Sequence, residues 1–403
     1  MTRSRVELGL RENAAQFGLL VAINALVGAM VGLERSTLPL IGSDDFGLSS
    51  TLAVLSFIVA FGLAKSFTNL AAGAFAERIG RRRLLIAGWA LALPVPLLIA
   101  VAPSWDWVVA ANIFLGVNQG LAWSMTVLMK IDLVGPKRRG LALGLNESAG
   151  YGGVAIAAAA SGWLAAEFVA RDVLVIGAAA VAVTGLLVSA ILVRDTAAHV
   201  VLEQEAHTAD SGESPRLREA FLLTSFKAPA LRSCSQAGLV NNLNDALAWG
   251  LVPLFLAAHG AGIGEIGLVA GIYPAVWGVG QIWTGHWSDR VGRKRPIVAG
   301  MLLQAAALAL LASSDGEVVI AAIAAIALGT GTALVYPTLI ASVSDSVVPV
   351  ARATTVGVYR FWRDMGYVVG GLLVGLLADA IDPAATIAAV AGLTALSLSL
   401  IHI

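Results

Sequence analysis

Long apolar runs separated by short polar loops set the pattern of this chain. The runs fall at 14–41, 50–75, 83–103, 106–130, 140–168 and 172–193, and again at 232–257, 264–285, 296–313, 317–341, 353–377 and 383–403. About 20 apolar residues in a helix cross the hydrocarbon core of a bilayer, so the pattern predicts twelve transmembrane helices in two sets of six. Between the sets, 194–231 is polar and charged and is interrupted by Gly212 and Pro215; it reads as a cytoplasmic linker with one or two short surface helices. The expected architecture is an all-α membrane protein with an N-terminal six-helix half (1–193), the linker (194–231) and a C-terminal six-helix half (232–403).

Composition strengthens this picture. Of 403 residues, 58% are hydrophobic and 13% charged, where soluble domains carry about a quarter charged. Mean hydropathy is +0.83. The net charge is zero, which points to no nucleic acid and no acidic partner, and the single Cys234 excludes a disulfide within the chain. The placement of charge says more than its sum. Arg3, Arg5 and Arg11, the loop Arg78 to Arg83, Lys137 to Arg139, the linker, Arg290 to Arg295 and Arg352 fall in every second loop. The alternate loops read SDDFG, PSWDW, SSDGE and DAIDP, with Arg171 as their basic exception. Cytoplasmic loops hold the Lys/Arg excess, so both termini are expected to be cytoplasmic, as an even helix count requires. The five histidines do not cluster, and no nucleophile–base pair, metal spacing or phosphate-binding loop stands out. An enzyme, a metal, a cofactor and direct ATP drive are therefore not expected.

The two sets of helices repeat each other. GAFAERIGRRR from Gly73 and GHWSDRVGRKR from Gly285 lie 212 positions apart, each directly after an apolar run. LPLI from Leu38 matches VPLF from Val252 at an offset of 214, and RGLALG from Arg139 matches RATTVG from Arg352 at 213. A repeat of six helices keeps its orientation in the membrane, and the substrate site is expected at mid-depth between the copies. The two basic loops resemble the loop 2–3 and loop 8–9 signature of the major facilitator superfamily, and the resemblance covers the whole chain. It implies a secondary transporter of bacterial permease type that works by alternating access. Two departures stand out: GVNQG places Gly116 where proton-coupled members often carry an arginine, and GLNESAGYGG (144–153) lacks the proline of the drug-antiporter pattern.

Within the signature, Gly73 and Gly285 permit close helix approach, and Gly80 and Gly292 permit a tight turn. The arginines, Arg78 and Arg290 among them, sit at headgroup level. Glu77 and Asp289 bring no topological benefit. The resemblance implies that Glu77 faces the start of helix 11 near Arg352, and that Asp289 faces the start of helix 5 near Arg139. These ten residues form the expected cytoplasmic gate.

Ionisable groups within the apolar runs are candidates for function, because each costs several kcal/mol in a bilayer. Glu34, Arg35, Lys65, Glu147, Asp245, Arg360, Arg363 and Asp364 qualify, and Asn241 joins Asn244 and Asp245 on one predicted face of helix 7. Arg360 and Asp364 are spaced to pair along one helix, and the repeat sets Glu147 against Arg360. Glu34, Glu147 or Asp364 is expected to carry a coupling proton. Lys130 and Asp132 read as solvated groups or as a latch at the cytoplasmic end of helix 4. The aromatics Trp249, Tyr273, Trp277, Tyr336 and Trp362 are candidates to line the cavity. The leading functional reading is proton-coupled efflux (antiport) of a small solute by a monomer in the inner (plasma) membrane. The alternative is an uptake or exchange carrier for an anionic metabolite or oxyanion, marked by Arg35, Lys65, Arg360 and Arg363; a non-transporting membrane sensor comes last.

Overall fold

A computed structural model describes residues 7–135, 139–206, 216–348 and 351–401. The side-chain placements of Glu77 and Arg139, and the local surroundings of Gly73 and Gly285, lie outside the described residues. All regular structure among the described residues is helical. The first half comprises α1 (Ala14–Asp44), α2 (Thr51–Ile79), α3 (Arg81–Ala90), α4 (Pro94–Ala100), α5 (Trp105–Val134), α6 (Arg139–Ala165) and α7 (Ala170–Ile191). The linker carries α8 (Ala197–Ala206) and α9 (Leu217–Leu222), followed by a π-helical turn at Leu223–Lys227. The second half comprises α10 (Pro229–Ala258), α11 (Ile263–Val291), α12 (Lys294–Ala312), α13 (Val318–Asp345), α14 (Arg352–Ala380) and α15 (Pro383–Ser397).

Among the described residues, ten segments are long and apolar enough to cross a membrane, with α3 and α4 acting as one. The long helices outside that set are α6 and α10, which are 27 and 30 residues long but carry Asn146 and Glu147, and Asn241, Asn242, Asn244 and Asp245. The predicted third helix is broken. A turn at residues 91–93 separates α3 from α4 because Pro94 has no N–H to donate to the preceding turn. Large apolar side chains such as Ile156, Ile191 and Leu396 stay exposed on the rim, as expected where lipid is the solvent.

The halves mirror each other in packing. Within them, α1 lies on α6 and α10 on α14, while α2 lies on α5 and α11 on α13. Between them the main seams are α2 with α14 and α6 with α11. These four seam helices, with α1 and α10, surround the centre of the bundle.

Polar groups between the halves

At mid-depth the two halves meet through three polar contacts. Arg35 on α1 donates from both terminal nitrogens to the two carboxylate oxygens of Asp245 on α10, at 2.8 and 2.9 Å. Tyr367 on α14 adds a third donor to Asp245 at 2.6 Å, and the Arg35 guanidinium lies over the Trp249 ring at 5.3 Å. A cavity of about 30 Å³, room for about one water, lies beside this pair and is lined by Arg35, Val269, Tyr273 and Leu308.

The second contact runs through Tyr336 on α13. Its hydroxyl donates to Glu147 on α6 at 3.1 Å and accepts from Arg363 on α14 at 2.5 Å. Trp123 and Asn146 donate to the other oxygen of Glu147 at 2.9 and 3.1 Å. Arg363 continues to Asp364, with nitrogen–oxygen distances of 2.7 and 2.9 Å. The third contact is the amide of Asn69 on α2, which donates to Asp364 at 2.5 Å and accepts from Ser124 at 2.9 Å; Asn242 donates to Asp364 at 3.4 Å.

Lys65 stands apart from these pairs. Its ammonium lies over the rings of Phe61, Trp123 and Tyr367, at 5.3, 5.8 and 5.3 Å. Glu34 is also set apart. It is buried in the first half, neither carboxyl oxygen has a hydrogen-bond donor among the described residues, and the neighbouring polar group is Asn112 on α5.

Several expected pairings change. Asp364 pairs with adjacent Arg363, not with Arg360, and the Nε of half-buried Arg360 has no partner among the described residues. Glu147 reaches the second half through Tyr336 and Arg363 rather than through Arg360. Asn241 and Asn244 do not share the surface of Asp245. They bond Gln304 on α12 at 2.7 and 2.8 Å, and Thr394 on α15 donates to Asn244 at 3.0 Å, all inside the second half. Asp245 is turned about 100° from Asn244 and meets Arg35 on α1, while Asn241, one turn earlier on the same side, is taken up by Gln304. Trp362 is no cavity residue, since it donates to Ser225 in the linker at 2.8 Å. Lys130 is buried rather than solvated and donates to the carbonyl of Leu20 at 3.1 Å. Gly116 fills the place of the family arginine with backbone: a Cβ there would stand 2.5 Å from the Phe61 carbonyl oxygen and 2.8 Å from Ala64.

The two ends of the bundle differ. At the end carrying both signature loops, Gly80 and Gly292 end α2 and α11 with φ of +94° and +84°, the left-handed region that favours glycine. Asp289 is 57% exposed there and pairs with Arg293 of its own half at 2.6 Å. Arg352 donates to the Ser344 carbonyl, also in its own half. Asp289 thus pairs within its own half; Arg139, its expected counterpart across the halves, and Glu77 lie outside the described residues. The first arginine after each turn has a role the sequence did not reveal. Arg81 forms an ion pair with Asp132 on α5 at 2.6 Å and Arg293 one with Asp345 on α13 at 2.9 Å, so each clamps its loop to a neighbouring helix of its own half. Along the seams at this end, Gly144 and Gly357 face open space.

At the opposite end the seams are closed. A Cβ on Gly162 of α6 would lie 2.5 Å from the Cα of Gly267 on α11, and one on Gly375 of α14 would lie 2.6 Å from the Cα of Leu52 on α2. Asp379, at the end of α14, accepts from Ser50 Oγ at 2.6 Å and from the amides of Thr51 and Leu52 at 2.5 and 3.2 Å. It thus caps α2 from the other half. The exceptional Arg171 lies at this end too, donating to the carbonyls of Ile99 and Ala102 that close α4. Loss of the Asp379 cap in Asp379→Ala is expected to cost about 1 kcal/mol, and hydrogen exchange at Thr51 and Leu52 reads it directly. Their amides should exchange about fivefold faster, with exchange in α5 unchanged.

Comparison with known proteins agrees with this architecture. The profile of the Major Facilitator Superfamily matches at residues 12–233 and again at 234–402. An uncharacterized MFS-type transporter, YddS of Bacillus subtilis (strain 168), is 30% identical over 129 residues; the match covers 32% of this chain and only 29% of that protein's length. Among solved structures, a POT family transporter in complex with 5-aminolevulinic acid superposes with a TM-score of 0.75 at 12% identity, covering 96% of this chain and 95% of that one. The nucleoside transporter NupG, in a mutant form, superposes at 0.74 and 16% identity, covering 96% and 100%. A bacterial homologue of the human lysosomal transporter Spinster, inward-facing and unoccupied, superposes at 0.69 and 16% identity, covering 96% and 94%. At these identities the structures speak for the fold, and the profile across both halves speaks for the family. The chain belongs to the major facilitator superfamily, and it is a multi-pass membrane transporter rather than an enzyme.

Proposed function

We propose that this transporter exports a small solute in exchange for protons, by alternating access across the inner membrane and as a monomer. The observation that carries the reading is the contrast along the seams: polar contacts at mid-depth, backbone-close glycine packing at one end, and open space at the other. Such a bundle can rock about its middle. In this reading α6 and α10 are also membrane helices, about 40 and 45 Å long at 1.5 Å per residue, which brings the crossings to twelve. In the same reading the end with the basic signature loops faces the cytoplasm, and the open side of the bundle faces it too.

For the proton we assign Glu34. Glu147 and Asp364 already hold several donors each. Among the described residues Glu34 has no donor within hydrogen-bond distance and only the neutral Asn112 beside it, so charge on it has no cation to offset it and a proton removes that charge. Proteoliposomes with an imposed pH gradient test both assignments. Addition of a transported solute should move protons opposite to it, and Glu34→Gln should keep solute–solute exchange while losing gradient-driven accumulation. Solute flux without proton movement overturns the coupling. Co-directional movement replaces export by uptake, and full accumulation by Glu34→Gln removes Glu34 from the pathway.

A further inference from the structure

We infer that the solute is an organic monoanion and that Lys65 holds its negative group, an inference that rests on the transporter reading above. The other buried cations among the described residues have their partners. Arg35 has Asp245, Arg363 has Asp364, and Lys130 has the Leu20 carbonyl. Lys65 is 8% exposed and has neither a hydrogen-bond acceptor nor a carboxylate within 4.0 Å among the described residues. The ring faces around it relieve part of the burial of its charge, but they form no hydrogen bond. Three donors on a compact ammonium remain for something the protein does not itself supply.

The position suits a transported ligand. Lys65, Phe61 and Trp123 belong to the first half, while Tyr367, which closes the cage, belongs to the second and also bonds Asp245. An anion on Lys65 would therefore sit at the seam and beside the Arg35–Asp245 pair. From the cage, rings lead on across the interface: Trp123 meets Tyr151 at 5.3 Å, Tyr151 stacks on Trp277 at 3.5 Å, and Trp277 meets Tyr336 at 5.2 Å. An apolar or planar body finds its contacts there, whereas a small hydrated ion would lose its water against ring faces.

The charge state follows from the neighbours. A second negative group would have to displace Asp364 from Arg363, so one charge is accommodated. A cationic solute would be placed against an ammonium that has no hydrogen-bonded partner among the described residues. Glu34 lies elsewhere on α1, so anion and proton do not compete for one group. A monoanion leaving the cell also moves with the inside-negative membrane potential.

Binding to purified protein, read by thermal unfolding, uses benzoate, hexanoate and salicylate, each against its neutral amide, with benzylamine as the cation. The monoanions should stabilise the wild type and the amides and amine should not. Lys65→Met should weaken monoanion binding by roughly thirtyfold or more, and Lys65→Arg should restore part of it. Without ligand, Lys65→Met should unfold no lower than the wild type, because a buried ammonium without a hydrogen-bonded partner is gone; a structural lysine would show the opposite. The inference is overturned if no monoanion stabilises the protein, if Lys65→Met binds monoanions as the wild type does, or if it unfolds several degrees lower. Monoanion binding that depends on Lys65, with no flux in proteoliposomes, would keep this site and overturn the transport assignment instead.

Discussion

Asp245→Ala is expected to destabilise the folded bundle by about 3–5 kcal/mol and to abolish transport. The reason is what it leaves behind. Among the described residues Arg35 has no other carboxylate within salt-bridge distance and its Nε lacks a partner, and it is 2% exposed. Removing Asp245 strands a guanidinium in the centre of a bundle and takes the acceptor from Tyr367 as well. Replacing both members by apolar residues behaves differently, because neither charge then needs a partner. Arg35→Leu with Asp245→Leu should unfold within about 1.5 kcal/mol of the wild type while still failing to transport. Thermal unfolding in detergent and flux in proteoliposomes separate the two outcomes. A single Asp245→Ala variant that unfolds with the wild type would show that the pair contributes little. A double variant that transports would show that it is not part of the moving interface. The pair joins residues from different halves, so its energy bears on how the halves sit together and not only on whether each one folds.

How much of this was legible in the sequence depends on how local each feature is. The signature loops were readable because a glycine turn and a basic cluster are local; Gly80 and Gly292 take up the left-handed φ those loops require. Buried charges were readable because an ionisable residue stands out against an apolar run. Glu34, Arg35, Lys65, Glu147, Asp245, Arg363 and Asp364 are all buried. Their partners were not readable. Arg35 and Asp245 lie 210 positions apart, and Glu147 and Tyr336 lie 189 apart; which faces meet depends on helix rotation and on how the halves dock. Neutral partners such as Asn69, Ser124 and Asn242 carry no charge signal at all. The spacing rule for Arg360 and Asp364 failed because a long neighbouring arginine, Arg363, folds back onto the same carboxylate. The seam glycines were visible as glycines, but only the packing shows that Gly162 touches backbone while Gly144 touches nothing.

That last difference gives the second large effect. Gly162→Leu is expected to leave the fold intact and to lower flux by more than about tenfold, because the end of the bundle away from the signature loops can no longer close. The obstacle on either side is backbone. A Cβ on Gly162 meets the Cα of Gly267 at 2.5 Å and the Ile263 carbonyl oxygen at 2.9 Å, and a Cβ on Gly267 meets the Cα of Gly162 at 2.6 Å. Neither contact can be relieved by rotating a side chain, so α6 and α11 must move apart at that end. The contacts that hold α6 to α1 inside the first half, Gly28 with Gly150 and Gly153 with Ala25, are untouched, which is why folding should survive. Gly144→Ala, on the same helix but with no atom within 4 Å of the new methyl, is the control, set beside Gly162→Ala as the substitution of equal size, and should transport normally. A cysteine at Val269, which lines the cavity beside Arg35, reports the opening in a Cys234→Ser background. An impermeant thiol reagent added on the side away from the signature loops should label it in Gly162→Leu and not in the control. Normal flux in Gly162→Leu, or equal labelling in both, would show that closure at that end does not depend on this glycine contact.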